Sequence, residues 1–332
     1  MKTTMMTVEA AAARIRTGAA MLVAGAESAL ARLPAGRWIG GTSVYFLTES
    51  GGRVEREQVM CTEIEEATDA RIRILSPQEL PDLAQDRFDG GLTLILIPAF
   101  SEAHTRFALD GAAYPGLFDQ PLMGWITGVH LDEQATAKPR IFDGRACARH
   151  EDGAALLHVE TRPGVVADLS IANPFRLGDD PGLRFVFAET GFAARTAFVG
   201  GEEVALAPLF ASGRADRRLP LMANYAGALI NVSVREVDEA TGTVSFYAPV
   251  VAGVEYRLAS PLGDYAAAFA AAGDGEGRLS CNCVLNFLYG ELEGKRAGNH
   301  VGPATFGEIA YILLNQTLVR LEMKGVRASE AA

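Results

Sequence analysis

The side chains best suited to chemistry lie close together near the end of the chain. In Ser280-Cys281-Asn282-Cys283-Val284-Leu285-Asn286, two thiols and two amides stand inside an apolar run. A carboxylate, Glu308, heads a second apolar run, Gly307-Glu308-Ile309-Ala310. Burying an unpaired amide or carboxylate costs on the order of a few kcal/mol. Such groups therefore either satisfy one another in the core or face a pocket. At that position Glu308 can take the cation or donor of a ligand, or act as an acid/base with a raised pKa. The plainer alternative is a salt bridge to one of the chain's many arginines. Gly307 beside it lets a ligand or a backbone approach closely.

Cys281 and Cys283 are two apart, so on a strand they project to the same face. One reading makes them a soft-metal or redox pair with His300. Zinc sites favour Cys-x2-Cys spacing and a second ligand pair, which this chain lacks. The other reading is a pair of buried, inert thiols. His300 follows Gly298-Asn299 in a stretch that reads as a loop. It is either a solvated side chain, a base for Cys281 or a haem ligand. Cys281, His300 and Glu308 together are the one catalytic set on offer, that of a cysteine-dependent amide hydrolase. His104, His130, His150 and His158 show no metal-binding spacing. The chain has no phosphate loop, no dinucleotide fingerprint and no nucleophile elbow.

These residues need a framework, and the chain supplies mostly strands. Arg37 to Phe46, Val54 to Ile64, Arg71 to Leu75 and Leu92 to Pro98 read as extended, the last as a strand covered on both faces. Residues 8 to 34 read as helical, as one helix or as two short ones, since Gly18 and Gly25 weaken the middle. The expected fold is mixed α/β or α+β, a largely β core with short helices. A loose pattern of proline, small residue, aromatic and glycine introduces apolar strands at Pro34–Gly41, Pro121–Gly128, Pro220–Gly227 and Pro303–Gly307. It suggests internal duplication. Trp38 and Trp125 fall at similar places in two copies, as pocket floor or core packing.

Of the 332 residues 49% are hydrophobic and 21% charged, the profile of a globular protein. The net charge of −11 argues against nucleic acid. No apolar run reaches the roughly 18 residues of a spanning helix. No signal-like segment opens the sequence, so the expectation is a cytoplasmic protein whose four cysteines are reduced.

A family resemblance enters at the end of the chain. Ser280-Cys281, the charged connection after it, Gly302-Pro303-Ala304-Thr305-Phe306-Gly307-Glu308-Ile309 and Leu314-Asn315-Gln316-Thr317 resemble the C-terminal part of FIST sensory domains. Ile39-Gly40-Gly41-Thr42-Ser43 is similar to that family's N-terminal glycine-threonine/serine strand. Asn282-Cys283-Val284 stands where relatives carry a Gly-Arg pair. The resemblance implies a bacterial sensory module for signal transduction that binds a small molecule, with an amino acid the usual suggestion and haem used by some relatives. It also implies a FIST-like N-terminal half over residues 1–130 and a C-terminal half over 131–332, in one continuous unit. With no room for an output domain, such a module would work through a separate signalling protein. The expected ligand site joins Glu308, Gly307, Asn282 and Asn286 to Trp38, Gly40, Gly41 and Thr42. The alternatives are the amide hydrolase and an assembly or scaffold protein.

Overall fold

The computed structural model describes residues 1–225, 227–272 and 278–325. The chain forms two compact units. The first comprises Met1–Ala172, Ala266–Leu313 and the stretch from Leu318; the second comprises Asn173–Tyr265 and Leu314–Thr317. Residue 130 falls inside the first unit.

As expected, the protein is largely β with short helices. In the first unit three strand–helix–strand segments each place two strands side by side in parallel. Met21–Gly25 leads through the short helix Glu27–Leu30 to Trp38–Thr42, in register from Met21 opposite Trp38 to Gly25 opposite Thr42. Leu92–Pro98 leads through Glu102–Asp110 to Leu122–Thr127, ending with Pro98 opposite Thr127. Leu279–Cys283 leads through Val284–Tyr289 to Gly302–Thr305, with Cys283 opposite Thr305. Each pair sits inside its own six-stranded sheet, flanked by antiparallel strands. Central parallel strands are covered on both faces, which is why LTLILIP is an unbroken apolar run. Ser101 caps the middle helix by accepting from the His104 amide.

Three of the four occurrences of the proline-glycine pattern fall on the second strand of these segments. The fourth, at Leu221–Tyr225, is an antiparallel strand of the second unit and belongs to no such segment. Each of the three second strands ends in a threonine: Thr42, Thr127 and Thr305, all at most 2% exposed. The carboxyl ends meet. The Gly128 amide donates to Thr42 O at 2.9 Å, and Ile126 and Gly307 are joined at 2.8 Å. Ser43 Oγ donates to Ala304 O at 3.3 Å.

Residues 8–34 hold two short helices, Val8–Arg16 and Glu27–Leu30, with a strand between them that the sequence did not suggest. Gly18 turns the chain at φ +85°, and Met21–Gly25 is a fully buried strand. Burial decided this segment: MLVAG occupies the middle of a sheet, where its own propensity is overruled.

The second unit is antiparallel throughout. It has one six-stranded sheet and one of three strands, Gly191–Ala194, Thr243–Val250 and Val234–Asp238. Several of its polar side chains pair inside it. Asn231 and Asn173 exchange bonds of 2.8 and 3.2 Å, Ser233 Oγ donates to Gln316 Oε1 at 2.7 Å, and Gln316 Nε2 donates to Arg218 O at 3.0 Å.

Candidate functional site

The residues that the sequence brings forward form a sealed interior cluster. Asn282 Oδ1 accepts from the Cys283 amide at 2.8 Å and from Asn286 Nδ2 at 2.9 Å. Asn282 thereby ties the end of its strand to the helix that follows. Cys281 Sγ lies 3.3 Å from Thr305 Oγ1, which donates to Gly307 O at 3.1 Å. Glu308 faces Trp125 across an antiparallel pair. Cys281, Asn286 and Glu308 are 0% exposed and Asn282 is 1% exposed. Burial pushes the Cys281 thiol well above the usual thiol range, and the nearby Glu308 carboxylate adds to the effect. A thiol held in that form is a poor nucleophile.

His300 lies in a loop, as the sequence suggested, but its side chain is covered. It is 2% exposed, with Nε2 3.1 Å from Phe269 O. Cys281 has Thr305 and the Asn282 carbonyl as its hydrogen-bonding partners, and no histidine among them. Among the described residues no group of three His, Cys, Asp or Glu side chains could hold a metal ion.

Gly40 and Gly41, expected to clear room for a ligand, clear it for neighbouring side chains. A Cβ on Gly40 would lie 2.7 Å from the Trp38 ring, two residues back on the same face. On Gly41 it would lie 2.5 Å from Thr127 and 3.4 Å from Trp125 Nε1. Trp38 itself is 1% exposed, donates from Nε1 to Pro34 O at 2.8 Å and stacks on Phe142. It is core.

Thr42 links this interior to an open cleft of about 380 Å³. Ala26–Ser28, Thr42–Val44 and Gly128–His130 line it, so it opens beyond the carboxyl ends of two parallel strand pairs. That is the position at which open α/β sheets bind ligands, because side chains from successive loops converge there. Its rim is charged, with Glu27, Arg56, Glu133, Lys138 and Arg149. Glu27 is held by Arg149 at 2.7 Å and Arg140 at 3.1 Å. Arg56 grips Glu133 with two bonds, 2.8 and 3.1 Å, and holds that carboxyl below its ordinary range. His130 stacks on Tyr45 with ring centroids 5.3 Å apart. Thr42 Oγ1 accepts from the Arg140 amide at 2.9 Å, fixing the far wall.

Arg56, Glu133, Lys138 and Arg149 were not among the residues that sequence reasoning selected. Arg56 sits in a bend, Glu133 in a short 3-10 helix, Lys138 in a loop and Arg149 on an edge strand, with no motif around them. The available signal was indirect: a threonine closing each apolar second strand marks where the loops converge.

Fold and site together define a largely β protein with three parallel strand pairs and a charged cleft at the carboxyl ends of two of them. From residue 6 to 324 the chain matches the family described as "Family of unknown function (DUF6976)", and it belongs to that family. No curated protein and no solved structure matches it. Among the described residues no helix is long and apolar enough to cross a membrane.

Proposed function

We propose that the chain is a cytoplasmic sensory module that binds a small zwitterionic molecule, an amino acid or a close analogue, in the cleft beyond Thr42. The observation that carries this reading is the convergence of strand ends on an open cleft whose rim holds both Glu27 with Arg149 and Glu133 with Arg56. A zwitterion can exchange into such pairs, its carboxylate toward Arg149 or Arg56 and its ammonium toward Glu27 or Glu133. Arginine suits this because its planar fork matches a carboxylate. The hydroxyls of Thr42 and Ser43 and the His130 ring lie on the same walls. The FIST-like residues at the end of the chain point in the same direction. They serve the reading by building the interior on which the cleft rests, and the response passes to a separate signalling protein.

An amino-acid panel in a thermal-shift experiment tests this. One or a few members should stabilise the protein, by about 2.7 kcal/mol at a hundredfold excess over Kd. A flat panel at millimolar concentration would sink the proposal. The amide-hydrolase reading gains nothing from the geometry, since Cys281 is fully buried and its thiolate disfavoured.

A further inference from the structure

A sheet edge offers unpaired backbone groups to another chain, and proteins normally blunt it. In the first unit most edges are blunted. Gly51–Val54, Ala148–His150 and Ile312–Leu314 are only three or four residues long. Ala67–Leu75 carries Asp69, Arg71 and Arg73, and Lys2–Thr7 opens on a lysine. The edge strand Val165–Ala172, VVADLSIA, differs. It runs eight residues with no proline and a single charge, Asp168, which Lys324 on the neighbouring strand neutralises. None of its residues is buried, and Val166 and Ile171 are each 49% exposed. Its ladder is with Leu318–Gly325 on one side.

We propose that this strand pairs antiparallel with the same strand of a second copy of the chain, with Leu169 on the two-fold axis. The register follows from geometry. Facing residues in an antiparallel ladder either both turn their amides toward each other or both turn them away. That orientation alternates along a strand, so a strand pairing with itself has its axis through a residue, never between two. An axis through Asp168 would set two carboxylates directly opposite, which is unfavourable. An axis through Leu169 sets Asp168 opposite Ser170, Val166 opposite Ala172 and Ala167 opposite Ile171. Ala167, Leu169 and Ile171 share one face of the strand. Three apolar side chains from each copy then form one stripe across the junction. Axes farther out pair fewer residues. The contact is isologous and closes at the dimer.

Cross-linking tests the register directly, in a Cys147→Ser background because Cys147 is the exposed native thiol. Leu169→Cys should give a covalent dimer under mild oxidation, since facing Cα atoms about 4.5–5.5 Å apart lie within disulfide reach. Asp168→Cys places its thiols on a diagonal of about 7–8 Å and should cross-link far less. Light scattering at micromolar concentration should give a dimer mass for the unaltered chain and a monomer mass for Ile171→Lys. A monomer mass for the unaltered chain, or equal cross-linking of the two cysteine variants, overturns the proposal. Should Ile171→Lys fail to fold, the cysteine pair still decides the matter.

Discussion

The interior cluster around Cys281, Asn282, Thr305 and Glu308 and the cleft around Thr42, Glu27 and Arg149 are built from similar side chains. Their surroundings separate them. In the cluster, amide, hydroxyl and thiol bond one another under complete cover, and each position is fixed by two or more strands. In the cleft, carboxylates and guanidiniums pair at the surface, where water competes and partners can change. Polar residues inside apolar runs thus mark a structural demand, whereas charges in ordinary turns make the accessible chemistry.

The largest expected effect tests whether the glycines serve packing. Gly41→Val would drive a side chain into Thr127 and Trp125. It should cost about 3 kcal/mol in a urea titration. A ligand-clearing glycine would leave stability unchanged and weaken binding alone. A loss of similar size is expected on acidification. His158, 1% exposed and bonded to Thr93, has its pKa lowered to about 4, chiefly by burial. The unfolded chain binds the proton more readily, so stability is full above about pH 6.5 and falls as pH drops toward 4. The total is about 3 kcal/mol, and His158→Gln should flatten that part of the profile.

Asn282→Leu removes the acceptor for Cys283 N and Asn286 Nδ2, and should cost about 2 kcal/mol by thermal melting. Iodoacetamide at neutral pH should modify Cys147 and spare Cys281 and Cys61, the latter pushed up to about 12 by burial. Fast modification of Cys281 would erase the contrast between the two regions. The smallest effect belongs to the cleft. Arg149→Ala should change stability by less than about 1 kcal/mol, as exposed ion pairs do.

Much of the framework was legible. The unbroken apolar run Leu92–Pro98 announced a covered strand, and the proline-glycine pattern located the second strand of each parallel pair. Met21–Gly25 was hidden inside an alanine-rich stretch because burial, a long-range property, overruled local propensity. The insertion of the second unit left no mark, since no change in composition accompanies residue 173 or 265. Glu308 and Asn282 stood out for a sound reason, the cost of burying polar groups, but that argument does not distinguish a core position from a pocket. Arg149 pairs with Glu27 across 122 positions in sequence, a juxtaposition that only the folded chain shows.

The central claim is that the open cleft, and not the buried cluster, receives the ligand. Its most direct test compares the thermal shifts produced by the amino-acid panel in the unaltered chain, in Arg149→Ala and in Glu308→Gln. The expected result is a ligand-induced shift that Arg149→Ala loses and Glu308→Gln keeps, whatever each variant does to the ligand-free melting temperature. A shift that survives Arg149→Ala and vanishes in Glu308→Gln would contradict the account.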